Sequence, residues 1–225
     1  AKQEREYAWQ EMAKQVAHEI KNPLTPMKLS MQFLQKVIES NAPNVKEITA
    51  STANTIINQI DHLSSMAGEF SQFAQIGNAK PSRQHLQKVL VFLKQLYDAS
   101  TSANFDWEMD DQPIYIMLDE TYINRLFTNL LQNAVQSGKE GTIVNISVNL
   151  FKQNDYAMIK VEDSGTGISE NLWPKIFVPN FTTKSSGTGL GLAMSKRIAE
   201  QAGGDISFTS SENGTCFTVS LPVVD

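Results

Sequence analysis

The sequence predicts an α-helical hairpin followed by an α/β sandwich, and three observations support this fold class. Apolar and small residues recur in steps of three and four over two long stretches, as in helices that pack through one face. Beyond residue 83, short apolar runs alternate with helical ones, which is typical of helices that cover a sheet. A Gly-rich turn at 187–191 opens the last helical run. The 225 residues suffice for one or two domains.

The first 76 residues are predicted to form two long helices. The first covers roughly residues 3–40, a polar turn follows at 40–44, and the second helix ends at about Ala74. The apolar seam of the first helix comprises Ala13, Ala17, Ile20, Leu24, Met27, Met31, Leu34 and Ile38. The seam of the second comprises Ala53, Ile56, Ile60, Leu63, Ala67, Phe70 and Ala74. One such hairpin leaves apolar surface uncovered, so we expect two hairpins to pair as a homodimeric four-helix bundle.

Residues 77–82 are predicted to be a linker, and residues 83–225 a second domain. The pattern there predicts helices at 86–99, 120–137 and 190–202. Strands are predicted near 104–109, 114–118, 142–151, 156–162, 205–210 and 215–221. We expect the helices to cover one face of a mixed sheet.

His18 is the first candidate for a reactive group. If Ala17 lies in the seam, His18 and Asn22 point outward, one turn apart, where a separate domain can reach them. Pro23 and Pro26 follow in the same pattern, although a proline inside a helix costs about 3 kcal/mol or more. A lone surface histidine carries little weight, but two prolines beside it predict a local bend that serves a purpose.

Three further patterns predict a nucleotide site. Asn129 and Asn133 lie four apart in a helical run, so both amides project from one face. Residues 163–167 read DSGTG at the end of a predicted strand, where the aspartate can accept a hydrogen bond from a base amino group. Lys184 precedes the Gly-rich turn 187–191, whose backbone can approach phosphates at a helix start. Each pattern alone also occurs as a turn or a solvated face, but their joint occurrence in this order favours nucleotide binding.

In this order, these motifs resemble the catalytic domain of bacterial sensor histidine kinases, which belongs to the Hsp90/gyrase/MutL-type ATP-binding fold. Residues 214–222 are similar to the last strand pair of that family. Residues 17–26, AHEIKNPLTP, are similar to its phosphoacceptor box, most of all in the nitrogen-regulation (NtrB/NtrY-like) subgroup. The resemblance therefore covers essentially the whole chain.

The resemblance implies a protein-histidine kinase that uses ATP and Mg²⁺. His18 would be phosphorylated, and the phosphoryl group would pass to an aspartate in the receiver domain of a response regulator. Glu19 resembles the acidic residue that orients the imidazole and accepts its proton, and a solvated helix carboxylate is the alternative for Glu19. Asn22 matches the position linked to the reverse activity, dephosphorylation of the regulator. These three residues are the expected catalytic group.

The resemblance also implies roles for the nucleotide-binding residues. Asn133 would bind Mg²⁺, and Asn129 would lie beside the phosphates and a metal-bound water. Asp163 would accept a hydrogen bond from the adenine amino group. The residues expected close around the base are Gly165, Gly167 and Thr215. The lysine and the Gly-rich turn expected to bind the cofactor are Lys184, Gly187, Thr188, Gly189, Leu190 and Gly191. Phe177 and Phe181 are expected to pack the lid.

The sequence departs from the wider family at several positions. Gln136 and Ser137 stand where many histidine kinases have a basic residue followed by an aromatic one. Because Gln136 replaces the basic residue, the phosphate contact that this residue would make is in question, and Lys139 is the candidate replacement. Ser164 stands where asparagine is frequent. The lid is expected to be short, with only residues 185–186 before the Gly-rich turn, and to close with a lower ordering cost.

Three alternatives come from other classes of protein. An ATP hydrolase or clamp of the Hsp90/MutL kind would need a glutamate as base where this chain has Asn129, so that alternative is weak. A dimeric scaffold that binds ATP without transferring a phosphoryl group is disfavoured by the intact His18, Asn133 and Asp163. A regulator that acts mainly as a phosphatase remains open.

Composition narrows the class of protein further. The net charge is −5 without a dense basic patch, so nucleic acid is not an expected partner. Cys216 is the only cysteine, and His62 and His85 are interpreted as structural. No apolar run approaches the length of a membrane span.

The chain opens within a predicted helix and without a methionine. We therefore interpret it as the cytoplasmic portion of an inner-membrane-anchored bacterial sensor, which reaches the membrane only through segments outside this chain. An open reading frame that begins here would contradict this.

Overall fold

The structure is a computed structural model that describes residues 2–75, 79–139, 141–179, 181–184 and 187–225. The chain divides into two compact units. The first comprises Ala1–Ala74 with Lys184–Thr188, and the second Gln75–Thr183 with Gly189–Asp225. Residues 77 and 78 of the predicted linker lie outside the described residues, as do residues 185 and 186 of the predicted lid.

The first unit contains the two predicted long helices. Helix α1 spans Lys2–Glu39 and helix α2 spans Val45–Gln75, with a short polar turn between them. Asn41 in this turn has a φ of 49°, a left-handed conformation that asparagine adopts more readily than most residues. Helix α1 includes Pro23 and Pro26 in its interior, so the predicted bend does not interrupt the helix.

The face that α1 buries within the chain is offset from the predicted seam. The partly or fully buried side chains recur in steps of three and four at Val16, Glu19, Pro23, Met27, Ser30, Leu34 and Val37. By contrast, Ile20, Leu24, Met31 and Ile38 of the predicted seam are 37% to 51% exposed. Sequence patterning missed the offset because glutamate, proline and serine contribute no apolar signal to the buried face.

The predicted seam of α2 is likewise split between side chains that the chain buries and side chains that it leaves exposed. Ile56, Leu63 and Phe70 are partly buried, whereas Ala53, Ile60 and Ala67 are exposed. The most buried side chains are Thr52 and Met66. The side chain of Ala74 lies outside the described part of the chain. Each helix therefore has one face that is buried within the chain and a second, apolar face that the chain leaves exposed.

The second unit contains the remaining elements. Its helices are α3 (Leu86–Tyr97), α4 (Glu120–Val135) and α5 (Gly191–Gln201). Its strands are β1 (Ser82–His85), β2 (Ala103–Met109), β3 (Tyr115–Leu118), β4 (Val144–Gln153), β5 (Tyr156–Asp163), β6 (Asp205–Ser211) and β7 (Gly214–Pro222). A 3₁₀ helix covers Glu170–Lys175.

Five of these strands form the predicted mixed sheet, in the order β2-β4-β5-β7-β6. Strand β2 pairs parallel with β4, and all other neighbours are antiparallel. Buried side chains alternate along β4, β5 and β7. They form a core with the apolar faces of α4 and α5, which include Leu126, Leu130 and Ile198. The helices thus cover one face of the sheet, as predicted.

Strands β1 and β3 form a separate antiparallel ribbon, which corrects the prediction in two ways. Strand β1 was not predicted, because the sequence Ser-Arg-Gln-His has no apolar alternation. Strand β3 was predicted as a strand, but it lies in this ribbon and not in the five-stranded sheet. A single bridge between Ile116 and Val223 connects β3 to the end of the chain.

Candidate active site

In the first unit, His18 lies on an exposed face of α1. His18, Asn22, Thr25, Leu29 and Phe33 recur in steps of three and four, and each is exposed. Leu29 is 60% and Phe33 is 55% exposed, which is unusual for large apolar side chains. The structure therefore places the predicted histidine outward, on a stripe that also carries Asn22 and two exposed apolar residues.

The two prolines alter the backbone beside His18. Proline has no N–H, so Pro23 and Pro26 remove the helical donors that would bind the carbonyls of Glu19 and Asn22. The Glu19 side chain is half-buried on the neighbouring face of α1. Two carbonyl oxygens close to His18, those of Glu19 and Asn22, therefore cannot accept from the residue four positions further along the helix.

In the second unit, α4 carries the two predicted asparagines. The helix begins at Glu120 because the Asp119 side chain caps it, with Oδ1 accepting from the Thr121 N–H at 2.9 Å. Asn129 and Asn133 lie one turn apart and are half-buried. They share the helix with buried leucines and with Phe127, so the packing of one face against the sheet sets the direction of the other.

The Asn129 amide is oriented by the start of α5. Its Nδ2 donates to the Gly191 carbonyl at 3.1 Å and lies 3.5 Å from Ser195 Oγ. A carbonyl only accepts, so nitrogen must face it and Oδ1 must face away. Ser195 is fully buried, and its own hydroxyl donates to the same carbonyl at 2.9 Å. Sequence analysis did not identify Ser195, because nothing in its local pattern marks it.

The amide oxygens of Asn129 and Asn133 are ligands of the kind that suits Mg²⁺, which prefers oxygen ligands and retains several waters. Among the described residues, no group of three or more His, Cys, Asp or Glu side chains is arranged to hold a metal ion. Amide oxygens of the α4 asparagines, completed by phosphates and waters, are a suitable hard-ligand set.

The Gly-rich turn leads into α5, as predicted. Gly189 has a φ of 69°, a left-handed conformation that favours glycine. Leu190 is buried and Gly191 begins the helix. Lys184, Gly187 and Thr188 belong to the first unit, so their contact with a nucleotide stays a prediction.

Asp163 ends β5 and is only 6% exposed. Its Oδ1 accepts from the Gly165 N–H at 2.8 Å. Burial raises the pKa of this carboxyl above its ordinary value, while hydrogen bonds from the Ser137 side chain and from the backbone of Gly165 and Thr215 act to lower it. A buried carboxylate with several donors around it is a candidate for ligand recognition.

The two glycines after Asp163 have no room for a side chain. A Cβ at Gly165 would lie 2.1 Å from Ser137 Oγ and 2.7 Å from Asp163 Oδ1. Gly167 has a φ of 71°, and a Cβ there would lie 1.8 Å from the Ser211 carbonyl oxygen. The backbone of this loop therefore lies directly against the carboxylate and the neighbouring strand.

Thr215 lies opposite Asp163 in the β5–β7 pair and is 4% exposed. Its Oγ1 lies 2.8 Å from Ser210 Oγ, which accepts from the Ile168 N–H at 2.8 Å. Ser210 thus connects Thr215 to the loop after Asp163. Sequence analysis did not single out Ser210, because its role depends on pairing between distant segments.

The last turns of α4 connect these groups. Asn129 contacts α5, and Ser137, just beyond the helix end, contacts the loop that begins at Asp163. Contacts between α4, α5 and the loop after Asp163 therefore hold Asn129, Asp163 and the glycines of that loop within the second unit. Ser137 was noted in the sequence only as a departure from an aromatic position, and that departure was the available signal.

Two family profiles match the chain. The profile "His Kinase A (phospho-acceptor) domain" matches residues 8–79, and "Histidine kinase-, DNA gyrase B-, and HSP90-like ATPase" matches residues 118–225. The chain is also 31% identical to a solved catalytic domain of the histidine kinase ThkA, of which it covers 95%, with a TM-score of 0.56 over 64% of this chain. The chain belongs to the histidine kinase family.

Other histidine kinases match over nearly all of the chain. Nitrogen regulation protein NtrY of Azorhizobium caulinodans is 30% identical over 222 residues, which is 94% of this chain and 28% of NtrY. The histidine kinase AtoS of Escherichia coli is 31% identical over 92% of this chain and 34% of AtoS. The structure of ThkA in complex with the response regulator TrrA covers 99% of this chain and 64% of that one, at 26% identity and a TM-score of 0.75.

This histidine kinase chain spans about a third of the length of these curated relatives. Within the described residues, no helix combines the length and the apolar character needed to cross a bilayer. The predicted membrane anchoring stays a prediction.

Proposed function

We propose that this chain is the catalytic core of a two-component sensor histidine kinase, which phosphorylates His18 from ATP and passes the phosphoryl group to an aspartate of a response regulator. The observation that carries the proposal is the environment of Asp163. A buried carboxylate is costly unless it has hydrogen-bond partners. A base amino group is the partner that suits this glycine-lined position at a strand end.

The proposed base contact explains a preference for adenine. Asp163 would accept a hydrogen bond from the 6-amino group, while the backbone at Gly165 and Gly167 and the side chain of Thr215 enclose the ring. Guanine has a carbonyl at the same position, and two acceptors facing each other repel. A site built around an acceptor therefore disfavours the 6-oxo base.

The phosphates would follow the Gly-rich turn toward α5. Backbone N–H groups of Gly189, Leu190 and Gly191 lie at the helix start, where N–H groups and the helix dipole favour anions. Lys184, with Gly187 and Thr188, would add contacts from the lid. Asn133 would bind Mg²⁺ directly and Asn129 would hold a metal-bound water; when bound, the ion neutralises phosphate charge.

Transfer would begin at the exposed His18. A ring nitrogen with its lone pair forms a bond to the γ-phosphorus, the bond to the bridging β–γ oxygen breaks, and ADP leaves. The proton on the other ring nitrogen passes to Glu19, the adjacent carboxylate. The phosphohistidine then donates its phosphoryl group to an aspartate carboxylate of the receiver domain, and the histidine is regenerated.

Two partners are proposed from the surface of the hairpin. A second copy of this chain would cover exposed apolar side chains of both helices, which include Ile20 and Leu24 of α1 and Ile57 and Ile60 of α2. The receiver domain would dock on the stripe of α1 that carries His18. The solved complex of ThkA with TrrA is a precedent for such a partner. The NtrY relative supports the nitrogen-regulation subgroup as a proposal.

Autophosphorylation tests this function most directly. The chain is incubated with Mg²⁺ and ATP labelled at the γ-phosphate, alongside His18→Gln and Asn133→Asp variants. The expected result is an acid-labile, alkali-stable label on the parent and none on either variant. His62→Gln, which changes a histidine of α2, is the matched control and should retain the label. Label that persists on His18→Gln would mean that another residue is the nucleophile.

A phosphatase-dominant regulator is the second candidate function, and the exposed Asn22 one turn from His18 favours it. Its amide can orient a water toward the aspartyl phosphate without accepting a proton. We expect Asn22→Ala to keep autophosphorylation and to lose dephosphorylation of the regulator, measured as release of inorganic phosphate from a phosphorylated receiver domain. An unchanged release rate would refute this role for Asn22.

A further inference from the structure

We propose that Trp173 and Ser210 are positioning residues for base recognition, which bind the two backbone groups of Ile168 and thereby fix the loop after Asp163 in the shape that receives adenine. The inference rests on the proposed ATP-binding function and adds two residues to it. Ile168 ends this loop, two residues before the 3₁₀ helix. The sequence motifs of the nucleotide site include neither Trp173 nor Ser210.

Both polar backbone groups of Ile168 are bound by side chains. Its N–H donates to Ser210 Oγ at 2.8 Å, and its carbonyl accepts from Trp173 Nε1–H at 2.9 Å. Ser210 belongs to β6 and Trp173 to the 3₁₀ helix, so the two contacts come from different elements. Because the N–H and the carbonyl belong to successive peptide groups, the two contacts together fix the backbone on both sides of Ile168.

The two side chains are placed by one face of β6. Residues two apart in a strand point to the same side of the sheet, so Phe208 and Ser210 share a face. The Trp173 ring packs against Phe208 in a T-shaped arrangement, with centroids 5.8 Å apart and an interplanar angle of 89°. This packing orients the indole whose N–H reaches the Ile168 carbonyl. Strand β6 therefore sets the position of Ile168 through both contacts.

Ser210 also connects Ile168 to the strand that faces Asp163. A hydroxyl has one proton and two acceptor lone pairs, so Ser210 can accept from Ile168 while its Oγ contacts Thr215 Oγ1 at 2.8 Å. The same oxygen lies 3.3 Å from the Gly214 carbonyl. Thr215 pairs with Asp163 across β7 and β5. The end of the loop is thus tied to the strand position opposite the carboxylate.

The loop needs such contacts because it contains two glycines. Glycine has the widest range of backbone conformations and loses the most freedom when it is ordered. The earlier part of the loop is held through Ser164, which contacts β4, and through Thr166, which contacts Ser137. Trp173 and Ser210 hold the far end. A loop that is held at both ends is ordered before the nucleotide arrives, so binding does not have to supply that order.

Recognition of the 6-amino group depends on this order. A hydrogen bond weakens steeply as its angle departs from linear, so the adenine ring must be held at one tilt for its amino group to donate to Asp163. The backbone at Gly165 and Gly167 is proposed to enclose that ring. If the end of the loop is released, the ring can tilt. The part of the binding energy that depends on the 6-amino group should then fall, while the phosphate contacts at the start of α5 stay as they were.

The test uses two nucleotides that differ only at position 6. The dissociation constants of the full chain are measured by calorimetry for ATP and for purine riboside triphosphate, which carries hydrogen in place of the amino group. A His18→Gln background prevents turnover. Trp173→Phe keeps a ring against Phe208 and loses the donor, and Ser210→Ala loses the acceptor. We expect each change to weaken ATP binding about fivefold and to leave binding of the other nucleotide within about twofold of the parent.

Trp107→Phe and Ser207→Ala are the matched controls. The Trp107 ring stacks on Phe105 and its Nε1–H donates to Asp98 Oδ1 at 3.2 Å, so the same change there removes the same kind of contact outside the loop. Ser207 is an exposed serine of β6. Both controls should leave the ratio of the two dissociation constants unchanged.

Hydrogen exchange of the nucleotide-free chain tests the order of the loop itself. We expect the Ile168 amide to exchange about fivefold faster in Trp173→Phe than in the parent, because the loop opens more often. Saturating ATP should restore most of the protection. In Trp107→Phe the Ile168 amide should exchange as it does in the parent.

Two results would overturn the inference. Equal weakening of both nucleotides in Trp173→Phe would show that the indole only supports the fold, and an unchanged ATP constant would show that its contact with Ile168 is not used. A failure of the proposed function is visible separately, because the parent itself would then bind neither nucleotide or both alike. That result would overturn the inference together with the function.

Discussion

At the scale of single residues, the site depends on one buried carboxylate and the donors around it. Asp163 and the glycines after it are a local motif, so the sequence placed them correctly at the end of a strand. Ser137, Ser195 and Ser210 contribute through contacts with distant residues, which are Thr166, Asn129 and Ile168 respectively. A single serine has no periodic or spacing signal, and the departure from the family pattern at Ser137 does not identify a contact partner, so these contacts could not be predicted.

The raised pKa of Asp163 predicts a pH dependence of base recognition. Acidification should reduce the preference for ATP over purine riboside triphosphate at a pH above the ordinary aspartate value of 3.8, because the buried carboxyl takes up its proton earlier. Both nucleotides carry the same phosphates, so phosphate protonation cancels in the ratio of dissociation constants. A ratio that stays constant down to that pH would contradict the prediction. Asp163→Asn is the control, in which the ratio should follow only the protonation of the two bases themselves.

The raised pKa of Asp163 also makes the free energy of unfolding depend on pH. The folded chain holds the Asp163 proton to a higher pH than the unfolded chain does. Its contribution to the free energy of unfolding is therefore largest below pH 3.8 and is lost as the pH rises through the folded pKa. At neutral pH this carboxylate is a cost to folding, which is consistent with a role in binding.

Gly167 should not tolerate alanine. A Cβ there would meet the Ser211 carbonyl oxygen at 1.8 Å, in a left-handed conformation. We expect Gly167→Ala to lower the free energy of unfolding by about 2 kcal/mol or more and to weaken ATP binding. Gly141 is the control, because its φ of 78° is also left-handed but no atom lies within 4 Å. Gly141→Ala should cost about 1 kcal/mol. Equal losses, measured by chemical denaturation, would contradict the steric argument.

At the scale of elements, helices were predicted more completely than strands. Helices α4 and α5 end within two residues of their predicted C-terminal bounds, because their apolar periodicity spans several turns. Strand β1 was not predicted, since its four residues form a strand only by pairing with β3. Strand pairing is a contact between distant segments, and an apolar run in the sequence does not identify the strand with which it pairs.

Gly68 is a weak point within α2. It is exposed, in the helix interior, and a Cβ there would meet no atom within 4 Å. We expect Gly68→Ala to raise the free energy of unfolding by about 0.5–1 kcal/mol, because alanine loses less backbone entropy. Ala50, which is exposed on the same face of α2, offers the reverse control, in which Ala50→Gly should cost a similar amount. A destabilised Gly68→Ala would indicate that a partner chain lies against this glycine.

At the scale of the whole molecule, α1 presents three faces that differ in burial and composition. One is buried within the chain, one carries exposed apolar residues such as Leu24 and Met31, and one carries His18 with Leu29 and Phe33. A helix has room for these three stripes because residues three and four apart share a face. The proposed second copy and the proposed receiver domain would therefore use separate surfaces of the hairpin.

This separation predicts that dimerisation and phosphotransfer can be disrupted independently. Ile60 is 47% exposed in a single chain, and Ile60→Glu should convert a dimer to a monomer by placing charges in the interface. Phe33→Glu, on the face of His18, should leave the dimer intact and slow transfer to the receiver domain. Light scattering measures the first effect and label transfer the second. A Phe33→Glu variant that is monomeric would contradict the assignment of faces.

The sequence by itself determined the order of the two domains, the long helices, the mixed sheet and the motifs at Asn129, Asp163 and the Gly-rich turn. These are local patterns, in which side-chain period and glycine positions follow directly from backbone geometry. The tertiary structure alone decided which face of α1 is buried, where β1 and β3 pair, and which hydroxyl, that of Ser210, holds the loop after Asp163. Each of these depends on segments far apart in the chain, whose approach only the packed core specifies.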